Sequence, residues 1–168
     1  MPAVPFATLP DDARLWVFAA ADPVAGPAAE RLLAEVDRFL DGWAAHGAPL
    51  RAARDWRDDR FLAVAVDQST AGASGCSIDG LFRTLRALEP EIGTSLLGAG
   101  VRVFWRDAAG AVRAADRRRF AAEAAGGAVD RGTPVFDTAV TSARDWRTRF
   151  EVAAHDSWHA SLLPHPAR

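Results

Sequence analysis

Two short segments, "RLWVFAAA" at residues 14–21 and "FLAVAV" at 61–66, are apolar almost without interruption. A strand with one wet face alternates apolar and polar side chains, so an unbroken apolar strand must be covered on both faces. Whatever the chain folds into has to bury these two segments completely. Between them, Leu32, Leu33, Val36, Phe39, Leu40 and Trp43 recur at helical spacing, with Pro27 suited to a first turn and Gly47 just past the end. The segment before "FLAVAV" is mixed in character and joins it through a tight turn near Asp58 and Asp59, which predicts a hairpin. Ile78, Leu81, Phe82, Leu85 and Leu88 predict a second helix that breaks near Pro90, and "VRVFWRD" at 101–107 predicts a further strand.

The resulting order is β-α-β-β-α-β, an α+β arrangement of the ferredoxin-like, split βαβ type. In that topology the sheet runs fourth, first, third, second, so the strands at 14–21 and 60–67 are expected in its middle. Helices cover only one face of such a sheet. The other face is expected to be covered by the last third of the chain or by a second subunit, which makes a homodimer one of the open alternatives. With 168 residues the chain is read as one domain, with a core at 14–107 and an extension at 108–168. The extension reads as a strand at "AVRAA", a short helix through Phe120, a strand at "TPVFDTAV" and a helix led by a capping pattern from Ser142 to Asp145.

Composition removes several chemistries. All the basic residues other than histidine are arginine, and without lysine there is no P-loop, no Schiff base and no pyridoxal anchor; no cofactor is expected. A net charge of −2 gives no general reason to bind nucleic acid. The three arginines of "DRRRF" at 116–120 would suit a phosphate, although successive helical positions point in different directions. One cysteine forms no internal disulfide, no apolar run reaches the roughly 20 residues of a membrane helix, and "RLWVFAAADP" lacks the basic flank of a secretory signal. A cytoplasmic protein with no membrane contact is expected.

The best place to look for function is the small-residue loop and helix start at 69–80, "STAGASGCSIDG". Free N–H groups and the positive end of the helix dipole favour an anion there, either a bound ligand or the Cys76 thiolate. Gly75 and Ser77 are the expected loop and cap residues, Asp79 would oppose or complement the dipole, and Trp43 and His46 are expected to line the same site. Two readings follow. One is a non-catalytic protein that binds a small anion or a partner; the other is a thiol enzyme with Cys76 as nucleophile and His46 or His159 as base. His155 and His159 in "HDSWH" share the spacing of a zinc-binding H-E-x-x-H helix, but Asp replaces Glu and no third ligand is signalled, so no metal is expected.

"FLDGWAAHGAPL", "DRFLAVAVDQ" and "ASGCSIDG" together resemble a group of small bacterial proteins of undefined activity that often carry the label "ABC transporter ATPase". The likeness covers roughly residues 14–88, and its most specific part is Gly75-Cys76-Ser77-Ile78-Asp79. The resemblance implies a shared sequence pattern without an activity, and the ATPase label does not suit a chain that lacks the P-loop lysine.

Overall fold

The computed structural model describes residues 3–69, 71–97 and 102–164; residue 70 of the loop and residue 101 of the expected strand lie outside it. Helices and antiparallel sheets alternate along the chain, so the class is α+β. The first sheet holds β1 (Arg14–Ala19), β5 (Phe61–Asp67) and β4 (Arg51–Arg57) in the order β1-β5-β4, with β5 antiparallel to both neighbours. Asp58 and Asp59 make the β4–β5 turn with φ of 54° and 51°. The helices α1 (Gly26–Asp41) and α2 (Gly75–Ile92) lie on one face of this sheet, where Leu32, Val36, Leu40, Leu81 and Leu85 bury against Phe18, Leu62, Val64 and Val66.

The expected fourth strand does not join this sheet. β6 (Val103–Arg106) instead lies inside a second sheet, β7-β6-β8-β9, with β7 (Val112–Ala115), β8 (Pro134–Phe136) and β9 (Glu151–Ala153). The order beside β1 that defines the ferredoxin-like sheet is therefore incomplete. β1 is an outer strand of this sheet, and its free edge is met at its start, where Leu15 N donates to Thr141 O at 2.9 Å and Arg14 bridges Ser142. Side-chain alternation along β6 suits either place. Val103 and Trp105 point to one side of β6 and Phe104 to the other, and both sides find apolar cover within the second sheet's surroundings.

Both faces of β5 are dry, as its sequence requires. The face opposite the helices carries Leu15, Ala53, Phe61, Ala63 and Ala65, and it packs on Phe104, Phe136, Trp146 and Phe150. Phe61 stands at the centre, with ring centroids 5.2 Å from Phe104, 4.7 Å from Phe136 and 5.0 Å from Phe150. The small alanines of β5 let the second sheet and α4 (Ala143–Thr148) approach closely. The chain's own C-terminal third thus covers this face. On the far side of the second sheet, Val103, Trp105 and Val135 meet Phe120 of α3 (Arg117–Ala125) and the 3₁₀ turn Trp158–Leu162. Among the described residues no helix is long and apolar enough to cross a membrane.

Two helix ends differ from expectation. α1 stops at Asp41 with Gly42 as its cap, so Trp43 and Gly47 lie beyond it. α2 runs through Pro90 to Ile92 and ends on Gly93 at φ 75°, whose N–H donates to Glu89 O. Proline sits in the last turn, where few bonds remain to be lost, and the Glu89 carboxylate closes the end by accepting from Leu96 N at 2.7 Å and Leu97 N at 3.0 Å.

Candidate functional site

The start of α2 is fixed by Ser74, not by Ser77. Ser74 Oγ accepts from Ser77 N at 3.3 Å, and Ser77 Oγ donates back to Ser74 O at 2.8 Å. Serine suits this place because its short side chain reaches the third N–H of the helix. The helix therefore begins at Gly75, and the N–H groups of Gly75 and Cys76 have no protein acceptor among the described residues. Asp79 is exposed and lies past the first turn, so it opposes an anion at the helix end less than a first-turn carboxylate would.

Trp43 anchors the site from below and does not line it. It is 3% exposed, packs on Phe39 and Trp16, and donates Nε1 to Ser77 O at 3.0 Å. Its only polar atom is committed to holding the first turn of α2. Beyond Trp43, β2 (Ala44–Ala45) and β3 (Ala48–Pro49) form a minimal hairpin whose turn is His46 at φ 51° and Gly47 at φ 79°. Both turn residues need positive φ, which glycine accepts at no steric cost. His46 is thus held on a turn tip rather than at the end of α1. Its exposed ring lines a depression of about 540 Å³ together with Ala44, Ala45 and the Ser74–Ser77 segment.

His159 belongs to a different part of the molecule. It is fully buried, stacked on Trp158 with centroids 3.9 Å apart and edge-on to Phe120 at 5.8 Å. Nδ1 is hydrogen-bonded with Ser157 Oγ at 2.8 Å, and Nε2 is buried without a partner. Burial pushes its pKa down to about 4; the Arg117 charge acts in the same direction and the Asp137 carboxylate opposes it. His155 is exposed and turned to Arg131 O, at 2.7 Å from Nδ1. The helical spacing of "HDSWH" fails because Ser157 is extended, with φ −127° and ψ 168°, and splits the segment into two 3₁₀ turns. Among the described residues no three potential metal ligands converge.

The arginines of "DRRRF" diverge. Arg119 Nε pairs with Glu123 at 2.8 Å, while the Arg117 guanidinium sits over the Trp158 ring at 5.1 Å. Asp116 caps α3 by accepting from Arg119 N at 2.7 Å.

Cys76 is exposed. Among the described residues no hydrogen bond joins its Sγ to a histidine nitrogen. Native protein should therefore react with iodoacetamide at a rate within about tenfold of the unfolded chain, and Cys76→Ser should change the unfolding free energy by less than about 0.5 kcal/mol. Labelling that requires denaturation would show the thiol to be covered. Compared with protein-family models, with curated proteins and with solved structures, the chain matches none.

Proposed function

We propose that the protein binds a small oxyanion, without catalysis, in the depression between the His46 turn and the start of α2. The observation that carries this reading is the meeting of two independent contributors at one place. The unsatisfied N–H groups of Gly75 and Cys76 crown an 18-residue helix, and His46 borders the same depression from another element. Donors and dipole both favour negative charge, and the small side chains leave the backbone open to it. The thiol-enzyme alternative is less well supported. One of its two candidate bases is buried in the far cluster, and the other makes no hydrogen bond to Cys76.

Inorganic phosphate, titrated into ¹⁵N-labelled protein, should shift the amide resonances of Gly75, Cys76 and Ser77 in a saturable way. His46→Ala should weaken that binding by about threefold to tenfold, the loss of one ligand contact at an exposed site. Absence of shifts up to about 10 mM phosphate, an affinity too weak to matter, would refute the reading.

A further inference from the structure

The stretch that follows Ser157 is docked by side chains rather than by its backbone. Ahead of it, Ala154 N donates to Thr133 O at 2.9 Å and His155 N to Arg131 O at 3.0 Å, which ties the first 3₁₀ turn to the segment before β8. Beyond Ser157 that pattern stops. Ala160 N donates to Ser157 O at 3.0 Å and Leu163 N to Ala160 O at 3.3 Å, and among the described residues no backbone hydrogen bond joins 158–163 to anything before Ser157. Trp158, Leu162 and Leu163 instead pack on the cluster of Val103, Trp105, Phe120 and Val135, and Trp158 Nε1 donates to Asp137 Oδ1 at 3.2 Å. Such a stretch can open about the extended Ser157 without breaking a ladder or a helix, so its opening costs only what its side chains contribute.

One of those side chains titrates. His159 is fully buried, its ring stacked on Trp158 and packed on Phe120, which in turn meets Trp105 at 5.3 Å. Its Nδ1 is hydrogen-bonded within the stretch, to Ser157 Oγ, and its Nε2 has no partner. A neutral imidazole bears this at the cost of one unmade hydrogen bond. An imidazolium donates from both nitrogens, so Nε2–H becomes a buried cationic donor that faces no acceptor. The surrounding charges do not relieve it. Arg117 of α3 repels the added charge, and Asp137, after β8, attracts it but has its Oδ1 taken by Trp158 Nε1 and Ala139 N. On the histidine's own side, the exposed His155 and Asp156 pair with one another at 3.3 Å, and the second sheet contributes Val103, Trp105 and Val135, none of which titrates.

From these contacts we infer that residues 157–163 form an acid-opened flap, which swings away from the second sheet when His159 takes up a proton and uncovers Phe120 and Trp105 while both sheets stay folded. The trigger lies two residues from the hinge. Opening gives Nε2–H water as an acceptor and takes the charged ring away from Arg117, neither of which the closed arrangement can offer. The flap shares no residue with the depression at His46 and Cys76, so neither proposal depends on the other.

Hydrogen exchange on the ¹⁵N-labelled full-length protein tests this, with the Trp158 indole N–H reporting the flap and the amides of β5 reporting the whole fold. Each rate, divided by the intrinsic rate at the same pH, gives an opening constant. With the ring's pKa at about 4 when closed and about 6.5 when open, the Trp158 opening constant should rise about 50- to 100-fold from about pH 7.5 to about pH 4.5. It should exceed that of β5 by at least about tenfold throughout, because the flap opens without the sheets. In His159→Gln, whose side-chain amide can still meet Ser157 but carries no charge, the rise should stay below about threefold. Equal opening constants at Trp158 and β5 in the wild type would overturn the proposal without recourse to any variant, since the stretch would then leave only with the whole fold. So would the absence of a rise in the wild type, or an equal rise in His159→Gln, which would put the trigger elsewhere.

Discussion

Phe61→Ala should lower the unfolding free energy by about 3–5 kcal/mol, the largest effect expected of any single truncation in the molecule. The ring is fully buried and touches three other phenylalanines, drawn from β6, β8 and the residue just before β9. Ala19 and Ala63, beside it in the first sheet, have no slack with which to refill the cavity. The loss is therefore both the transfer term and most of the cavity term. Urea titration followed by tryptophan fluorescence measures it, and a change below about 1 kcal/mol would mean that the two sheets are not joined through this residue.

Stability should also fall as pH drops from about 6.5 to about 4, by about 3 kcal/mol from His159 alone. The sign follows from burial. The folded chain holds the ring neutral with a pKa of about 4, whereas the unfolded chain protonates it near 6.5, so in this interval the unfolded state binds the extra proton. The contribution is complete above about pH 6.5, declines through the interval and is gone below about pH 4. Asp67 acts at lower pH, because hydrogen bonds from the Ser69 hydroxyl and N–H and from Arg51 hold its carboxyl below the usual range. The difference between wild type and His159→Gln isolates the histidine. Parallel stability profiles for the two proteins would show that the ring titrates normally in the fold.

The parts of this structure that were legible in the sequence are those set by local periodicity. The unbroken apolar run at 61–66 required two covered faces and has them, and the pattern Ser142 to Asp145 does place a cap, with Asp145 N donating to Ser142 Oγ at 3.1 Å. Which strand pairs with which was not legible for β6. A strand's side-chain alternation specifies its two faces and says nothing about its edges, so Phe104 and Trp105 fit a fourth place in the first sheet as well as a central place in the second. Trp43 kept helical spacing with Leu40 while leaving the helix, because Phe39 of α1 and Trp16 of β1 both pack on its ring. At the candidate site, the helix start at Gly75 and Cys76 was readable from small residues before an amphipathic pattern. The placing of His46 beside them depends on a turn between two-residue strands, too short to leave a periodic signal.

The contact between residues 9–13 and residues 143–147 sets an order of events during synthesis. Ala143 N donates to Ala13 O at 2.9 Å, and Arg147 pairs with Asp11 at 2.7 Å and reaches Leu9 O at 2.8 Å, so the edge of β1 and the face beneath it are finished by residues more than 120 positions downstream. As the ribosome delivers the chain from its N-terminus, β1, β4 and β5 can pair and take up α1 and α2 while Phe61 still waits for Phe136, Trp146 and Phe150. For the time needed to make that last stretch, at roughly 5–20 residues per second, the nascent sheet carries a bare apolar side and an open strand edge. Closure over such a sequence distance is slow, so the interval before residues 136–150 are made and docked is when the first sheet is most exposed to aggregation.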